Sequence, residues 1–124
     1  MSNKTIGNKV EYIVAYLFQK QGYWVHLLAQ TQQGQPCDMV ALRGNTSFLI
    51  DAKHCLGTRF FLRRIEPNQI NAFRYATSLG IKCAFVIVHG DTAHWFPWDM
   101  ADTALKEQRS SIDIEKELPV KWKL

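Results

Sequence analysis

The stretch Pro36-Cys37-Asp38-Met39-Val40-Ala41-Leu42-Arg43-Gly44-Asn45-Thr46-Ser47-Phe48-Leu49-Ile50-Asp51-Ala52-Lys53 decides how this chain is read. Two apolar runs flank Gly44-Asn45, a dipeptide suited to a two-residue hairpin turn. A turn there pairs Arg43 with Thr46, Ala41 with Phe48 and, at the far end, Asp38 with Asp51. An odd number of steps from the turn makes that last pair a non-hydrogen-bonded one, with its side chains close together. Lys53, two residues beyond Asp51, projects from the same face because strand side chains alternate.

Opposed carboxylates destabilise a sheet unless a cation sits between them, and a hard divalent ion such as Mg²⁺ prefers carboxylate oxygens. A neighbouring Lys can position a water or stabilise a phosphate as charge builds on it. The combination points to phosphodiester chemistry. The plainer alternative is a surface hairpin with an Asp on each strand and a Lys that satisfies them.

At 124 residues the chain is expected to form one domain, residues 1–124, with room for a real core. A net charge of +4 and a pI near 9.1 tilt it toward polyanionic partners. No apolar run approaches a membrane span, and Met1-Ser2-Asn3-Lys4-Thr5 lacks the apolar core of a signal peptide. A cytoplasmic protein without membrane contact is the expectation. Cys37, Cys55 and Cys83 cannot all pair with one another and read as reduced thiols. A soft-metal site from His54, Cys55 and Cys37 is the alternative to three buried cysteines.

From Thr5 to Gln21 the residues Ile6, Val10, Ile13, Val14 and Leu17 fall on one helical stripe, with Gly22 as terminator. Tyr23 to Ala29 reads as a strand and Gln30 to Pro36 as a polar loop. The hairpin follows, apolar on both faces: Val40, Leu42 and Leu49 on one, Met39, Ala41, Phe48 and Ile50 on the other. Such a sheet should be covered on both sides. Leu56 to Ile65 is a basic connection. A second helix starts at Glu66-Pro67 and stops at Gly80. Lys82 to His89 and Thr92 to Pro97 read as strands, Asp99 to Asp102 as the opening of a short third helix, and the tail from Ser110 as weakly patterned. The order predicts an α/β sandwich around one mixed sheet.

Two helical residues are polar where their helices border the core. Glu11 lies at the edge of the first stripe, flanked by Val10 and Val14, and a carboxylate there wants a partner. Gln69 falls among Ala72, Phe73 and Ala76, while Asn68, Asn71, Arg74 and Ser78 take the opposite face. Its amide should point toward the sheet. Ordinary alternatives are a boundary ion pair for Glu11, with Lys9 or Lys53, and a backbone hydrogen bond for Gln69.

Gly7-x-x-x-Glu11, Pro36-x-Asp38, Asp51-x-Lys53 and a Gln on the following helix together resemble the PD-(D/E)XK nuclease superfamily. Within it, Phe61-Leu62-x-x-Ile65-x-x-x-Gln69 resembles RecU-type Holliday junction resolvases, and the layout is also similar to archaeal resolvases. The likeness covers residues 4–98. It implies a restriction-endonuclease-like α/β core, a central mixed sheet flanked by helices in the order α-β-β-β-α-β-β. It also implies a dimer with one Mg²⁺-dependent site per subunit, cutting DNA strands of opposite polarity.

On that resemblance the expected function is a metal-dependent endodeoxyribonuclease, a Holliday junction resolvase of compact, phage type, active in DNA recombination and repair in the cytoplasm (the host's, for a viral enzyme). Asp38 and Asp51 would ligate Mg²⁺, with Mn²⁺ as a substitute, and Glu11 and the carbonyl of Ala52 would complete the shell. Lys53 would orient the attacking hydroxide, and Gln69 would fix Lys53 or the water. Lys4, Lys9, Arg59, Arg63, Arg64 and Arg74 are the candidate phosphate contacts. Two departures stand out. Asp51 replaces the commoner Glu, which would draw the cation closer to the strand, and the chain leaves no room for the stalk-like insertion of bacterial RecU proteins. The same residues would serve another structure-specific or restriction-like nuclease; a non-catalytic DNA-binding module should have lost Lys53 or a carboxylate.

Overall fold

The structure, a computed structural model, describes residues 3–29 and 35–124, with side chains from Lys9 onward. Helix α1 (Asn3–Lys20) leads into strand β1 (Trp24–Leu27), the hairpin β2 (Met39–Arg43) and β3 (Thr46–His54), and a short β4 (Arg59–Phe61). A 3₁₀ turn, Leu62–Arg64, precedes α2 (Pro67–Ser78). Then come β5 (Lys82–His89), β6 (Thr92–Pro97), α3 (Trp98–Lys106), β7 (Ser111–Asp113), α4 (Ile114–Glu117) and β8 (Lys121–Lys123). The expected loop over Gln30–Gly34 lies outside the described residues.

The hairpin register is as the sequence predicts: Arg43 pairs with Thr46 and Ala41 with Phe48. Gly44 takes φ 57° while Asn45 stays at negative φ, the glycine-first arrangement of a type II′ turn. The main sheet runs β1-β2-β3-β5-β6-β8, mixed because β3 and β5 are parallel while their neighbours pair antiparallel. The parallel step needs a crossover, and α2 supplies it. That helix stops where expected: Gly80 adopts φ 84°, and Ile81 N–H reaches back to the Ala76 carbonyl at 3.0 Å, a Schellman closure.

Both faces of the sheet are covered. On the α1 side Val10, Val14, Leu17 and Phe18 pack on Met39, Ala41, Ile50, Val86 and Val88. On the other, Phe73 and Ala76 of α2 and Trp98, Ala101 and Ala104 of α3 pack on Phe85, Ile87 and Phe96. Three assignments change. The first strand is shorter than Tyr23–Ala29, because Tyr23 N–H turns back to the Phe18 carbonyl at 3.1 Å. The basic connection holds β4, paired with β7. The tail is structured: β8 pairs with β6, and Trp122 packs against Phe18 and Trp95 with ring centroids 6.0 and 6.2 Å apart.

Cys37, Cys55 and Cys83 are buried free thiols. Burial, reinforced by the charges of Asp51 and Asp38, pushes Cys37 up to about 12, so it stays protonated. Among the described residues no helix is long and apolar enough to cross a membrane.

Candidate active site

The site forms where β2 ends and β3 continues. Residues 50, 52 and 54 of β3 turn their backbone groups toward β2, but the β2–β3 ladder stops at Met39–Ile50. Ala52 N–H therefore has no strand partner, and the carboxylate of Asp38 takes its place, accepting through Oδ2 at 2.7 Å. Asp38 N–H donates to the Ile50 carbonyl at 3.0 Å, while its own carbonyl accepts from Leu28 N–H at 2.8 Å. This corrects the expected simple opposition of Asp38 and Asp51: the peptide at Asp38 twists out of the ladder so that its side chain crosses to β3. The two carboxyls still come close enough for each to shift the other's protonation.

Asp51 is 3% exposed and Asp38 9%. Burial is the largest influence on each, pushing Asp51 up to about 7 and Asp38 up to about 6; the Lys53 ammonium pulls Asp51 back, and the Ala52 N–H does the same for Asp38. Their mutual repulsion works in the direction of burial at Asp51, and the Glu11 charge does so at Asp38. Glu11 itself is half-buried on α1, its carboxyl raised by burial and near enough to Asp38 for the two to influence each other's protonation. It thus approaches the aspartates from the layer opposite α2.

Lys53 is held from several directions. Its ammonium lies 2.9 Å from Asp51 Oδ2, 3.3 Å from Gln69 Oε1 and 3.4 Å from the Arg64 carbonyl. The first contact is an ion pair without hydrogen-bond alignment, so the buried Oδ2 of Asp51 has no donor directed at it. A buried carboxylate oxygen left in this way suits a cation ligand. Gln69, 5% exposed, points inward as the helix wheel predicts. Its Oε1 accepts from Lys53 and, at 3.2 Å, from Glu66 N–H at the start of α2.

The donor set is a half-site. Among the described residues no three of His, Cys, Asp and Glu converge into a closed metal cage, which also removes the soft-metal alternative at His54, Cys55 and Cys37. Asp38 and Asp51 nevertheless offer hard oxygens at one point, and the ladder phase turns the Ala52 carbonyl toward the Asp38 side.

The candidate phosphate contacts divide. Lys9, Arg59, Arg63 and Arg64 are exposed, Arg63 over the Phe61 ring and Arg64 donating to the His54 carbonyl at 2.7 Å. Arg74 stands apart from these four. Five residues turn it about 140° from Gln69, and its guanidinium is committed to Asp102 at 2.8 and 3.0 Å. The side chain of Lys4 lies outside the described residues. Asn68 is a correction: it is half-buried, and its amide donates to the Gln35 carbonyl at 3.3 Å, tying α2 to the segment that leads into Asp38.

Sequence reasoning missed the Arg64 carbonyl and the Glu66 N–H, both backbone groups without a residue-type signature. Only Glu66-Pro67-Asn68-Gln69, a helix start with Gln at the third position, held a signal for the latter.

Compared with solved structures, the chain superposes on Archaeoglobus fulgidus Hjc, a Holliday junction resolvase from an archaeal hyperthermophile. The TM-score is 0.69 at 20% identity, over 95% of this chain and 91% of that one. The likeness is one of fold, shared along nearly the whole of both chains. No family model matches the chain, and no curated protein matches it by sequence. The shared fold accounts for the layout, a mixed sheet between helices.

Proposed function

We propose that this chain is a metal-dependent endodeoxyribonuclease that cleaves branched DNA, in the manner of a Holliday junction resolvase. The observation that carries the reading is the buried pair Asp38 and Asp51 at the break in the ladder, with Lys53 fixed between Asp51, Gln69 and the Arg64 carbonyl. A sheet interior tolerates two such carboxylates at a cost, and that cost is recovered if a cation is their partner. The resolvase fold and the RecU-like spacing from Phe61 to Gln69 support the same conclusion.

Asp38, Asp51 and the Ala52 carbonyl would hold Mg²⁺, with Mn²⁺ able to replace it, and Glu11 would hold a bound water or add a ligand. When bound, such an ion supplies Lewis-acid polarisation of the phosphate and lowers the pKa of water. Lys53 stands beside the carboxylates, where its ammonium would orient the attacking water and neutralise charge on the phosphate in the transition state. Gln69 keeps that ammonium from swinging to solvent. Lys9, Arg59, Arg63 and Arg64 would hold flanking phosphates. A homodimer with one site per subunit, acting in the cytoplasm, would place two cuts on strands of opposite polarity.

The test is cleavage of a labelled four-way junction beside linear duplex, fork and flap, in Mg²⁺, in Mn²⁺ and in chelator. Metal-dependent cutting with preference for the junction is expected. Preference for fork or flap would move the substrate assignment, and intact DNA throughout would leave a binding module.

A further inference from the structure

Two residues beyond Lys53 the chain enters a tight connection, residues 55–58, with a hydrogen-bond contact at every residue but one. Cys55 N–H donates to the Val88 carbonyl at 3.0 Å, and His89 Nδ1 lies 3.1 Å from the Cys55 carbonyl, which accepts from it. The Cys55 thiol, buried, lies 3.3 Å from the Gly57 carbonyl and 3.1 Å from that of Arg59. The Thr58 carbonyl accepts from Ile114 N–H at 2.8 Å. The remaining residue is Leu56. Its side chain is 88% exposed, the most exposed large apolar side chain among the described residues; Tyr12 follows at 65%.

Single exposed leucines are ordinary on protein surfaces and need no explanation. This one differs in its support and its neighbours. The loop under it is tied at both ends by backbone hydrogen bonds, from Cys55 N–H and to the Thr58 carbonyl, which limits the ordering that contact requires. Leu56 shares a cleft of about 470 Å³ with His54, Arg59, Arg64 and the half-exposed Phe61 ring, and Arg63 lies over that ring. Arg64 also joins the loop to the site: its guanidinium donates to the His54 carbonyl, and its own carbonyl accepts from Lys53. An apolar tip beside Arg59 and Arg64, with Arg63 beyond, matches a polyanion with apolar faces inside, and nucleic acid has that chemistry: charged phosphates outside, base faces available wherever stacking is broken.

We propose that Leu56 is a wedge that inserts into an opened base step of the DNA at its branch point, while Arg59, Arg63 and Arg64 hold the phosphates on either side. The proposal rests on the nuclease reading and deepens it, by assigning branch recognition to a residue that takes no part in the chemistry. Unstacking is easiest where a step is already interrupted, so an apolar tip close to the catalytic Lys favours branches over continuous duplex. The arginines are the sequence-independent part of the contact and Leu56 the part that senses structure.

The experiment places 2-aminopurine at the branch of a four-way junction, or within one arm, and follows its fluorescence as protein is added in Ca²⁺. Wild type should raise the branch signal severalfold and leave the arm signal unchanged. Leu56→Ala should lose the rise and keep its dissociation constant within about threefold, because the lost contact is offset by unstacking no longer required. Leu56→Met should retain the rise. Equal fluorescence changes for wild type and Leu56→Ala overturn the wedge, and so does a shift in sedimentation on Leu56→Ala, which would make the residue a contact between copies of this chain. Cleavage in Mg²⁺ is scored separately. A wild type that cuts junctions without a Leu56-dependent signal loses only the wedge; one that gives the signal and never cuts loses only the nuclease; one that neither binds nor cuts loses both.

Discussion

The two faces of β3 are built to different ends. Ile50 turns to the α1 side, where Met39, Ala41, Val86 and Val88 pack with it in one apolar cluster. Asp51 turns to the α2 side, where an equally buried position holds a carboxylate, and Lys53 and Gln69 extend the polar patch. Adjacent residues of one strand thus differ by one of the most expensive substitutions a core can carry. The first face holds the sheet together. The second accepts a loss of stability for a cluster of charge, and the ladder is broken at Asp38 to deliver its second member.

The contrast is broken most severely by removing the charge. Asp51→Asn and Asp38→Asn are expected to lower single-turnover cleavage by about a thousandfold or more, while thermal melts in chelator show stability equal to wild type or higher. Lys53→Ala comes next, with a loss of about a hundredfold to a thousandfold in the chemical step and little change in DNA affinity measured in Ca²⁺. A proportional loss of affinity would make Lys53 a phosphate contact instead. On the apolar face the expectation reverses: Met39→Ala should cost about 2–5 kcal/mol of stability and leave the turnover of the folded fraction as it was.

Protonation sharpens the comparison without a mutation. Asp38 and Asp51 have folded-state values raised to about 6 and about 7, above the ordinary aspartate value of 3.8. In the folded protein they take up protons at higher pH than in the unfolded chain, so stability rises as pH falls through 7 and 6, and the gain is complete near the unfolded value. Melts in chelator should therefore show more stability at pH 5 than at pH 8, by on the order of a few kcal/mol. Saturating Mg²⁺ should flatten the difference, and Asp51→Asn should reduce it.

Gln69→Ala carries the smaller effects. Because Oε1 serves both Lys53 and Glu66 N–H, truncation should cost about 1–2 kcal/mol in melts and slow cleavage about tenfold beyond any change in binding. A destabilised but fully active variant would leave Gln69 only its role at the start of α2. Asn68→Ala, once its bond to Gln35 is considered, should be milder than Gln69→Ala but not silent.

Much of the apolar face was legible in the sequence. Alternation about Gly44-Asn45 set the hairpin register, and the bounds of β5 and β6 agree with their apolar runs. Strands and helices of three or four residues, such as β4, β7, α4 and β8, carry too little periodicity to be seen. In the site, residue types and spacing located Asp38, Asp51, Lys53 and Gln69. The twist at Asp38 was hidden, because it depends on one carboxylate replacing a strand partner for Ala52. The commitment of Arg74 to Asp102 was hidden too, since it joins helices far apart in the chain.

The central claim is that the buried pair Asp38 and Asp51 exists to hold a divalent cation. Calorimetric titration of Mn²⁺ into the DNA-free protein at pH 7, repeated in two buffers of different ionisation enthalpy, tests it directly. The account predicts saturable binding to wild type with net proton release, since carboxyls raised to about 6 and about 7 are partly protonated at that pH, and loss of both binding and proton release in Asp51→Asn. Equal binding by wild type and Asp51→Asn, or binding without proton release, would contradict it.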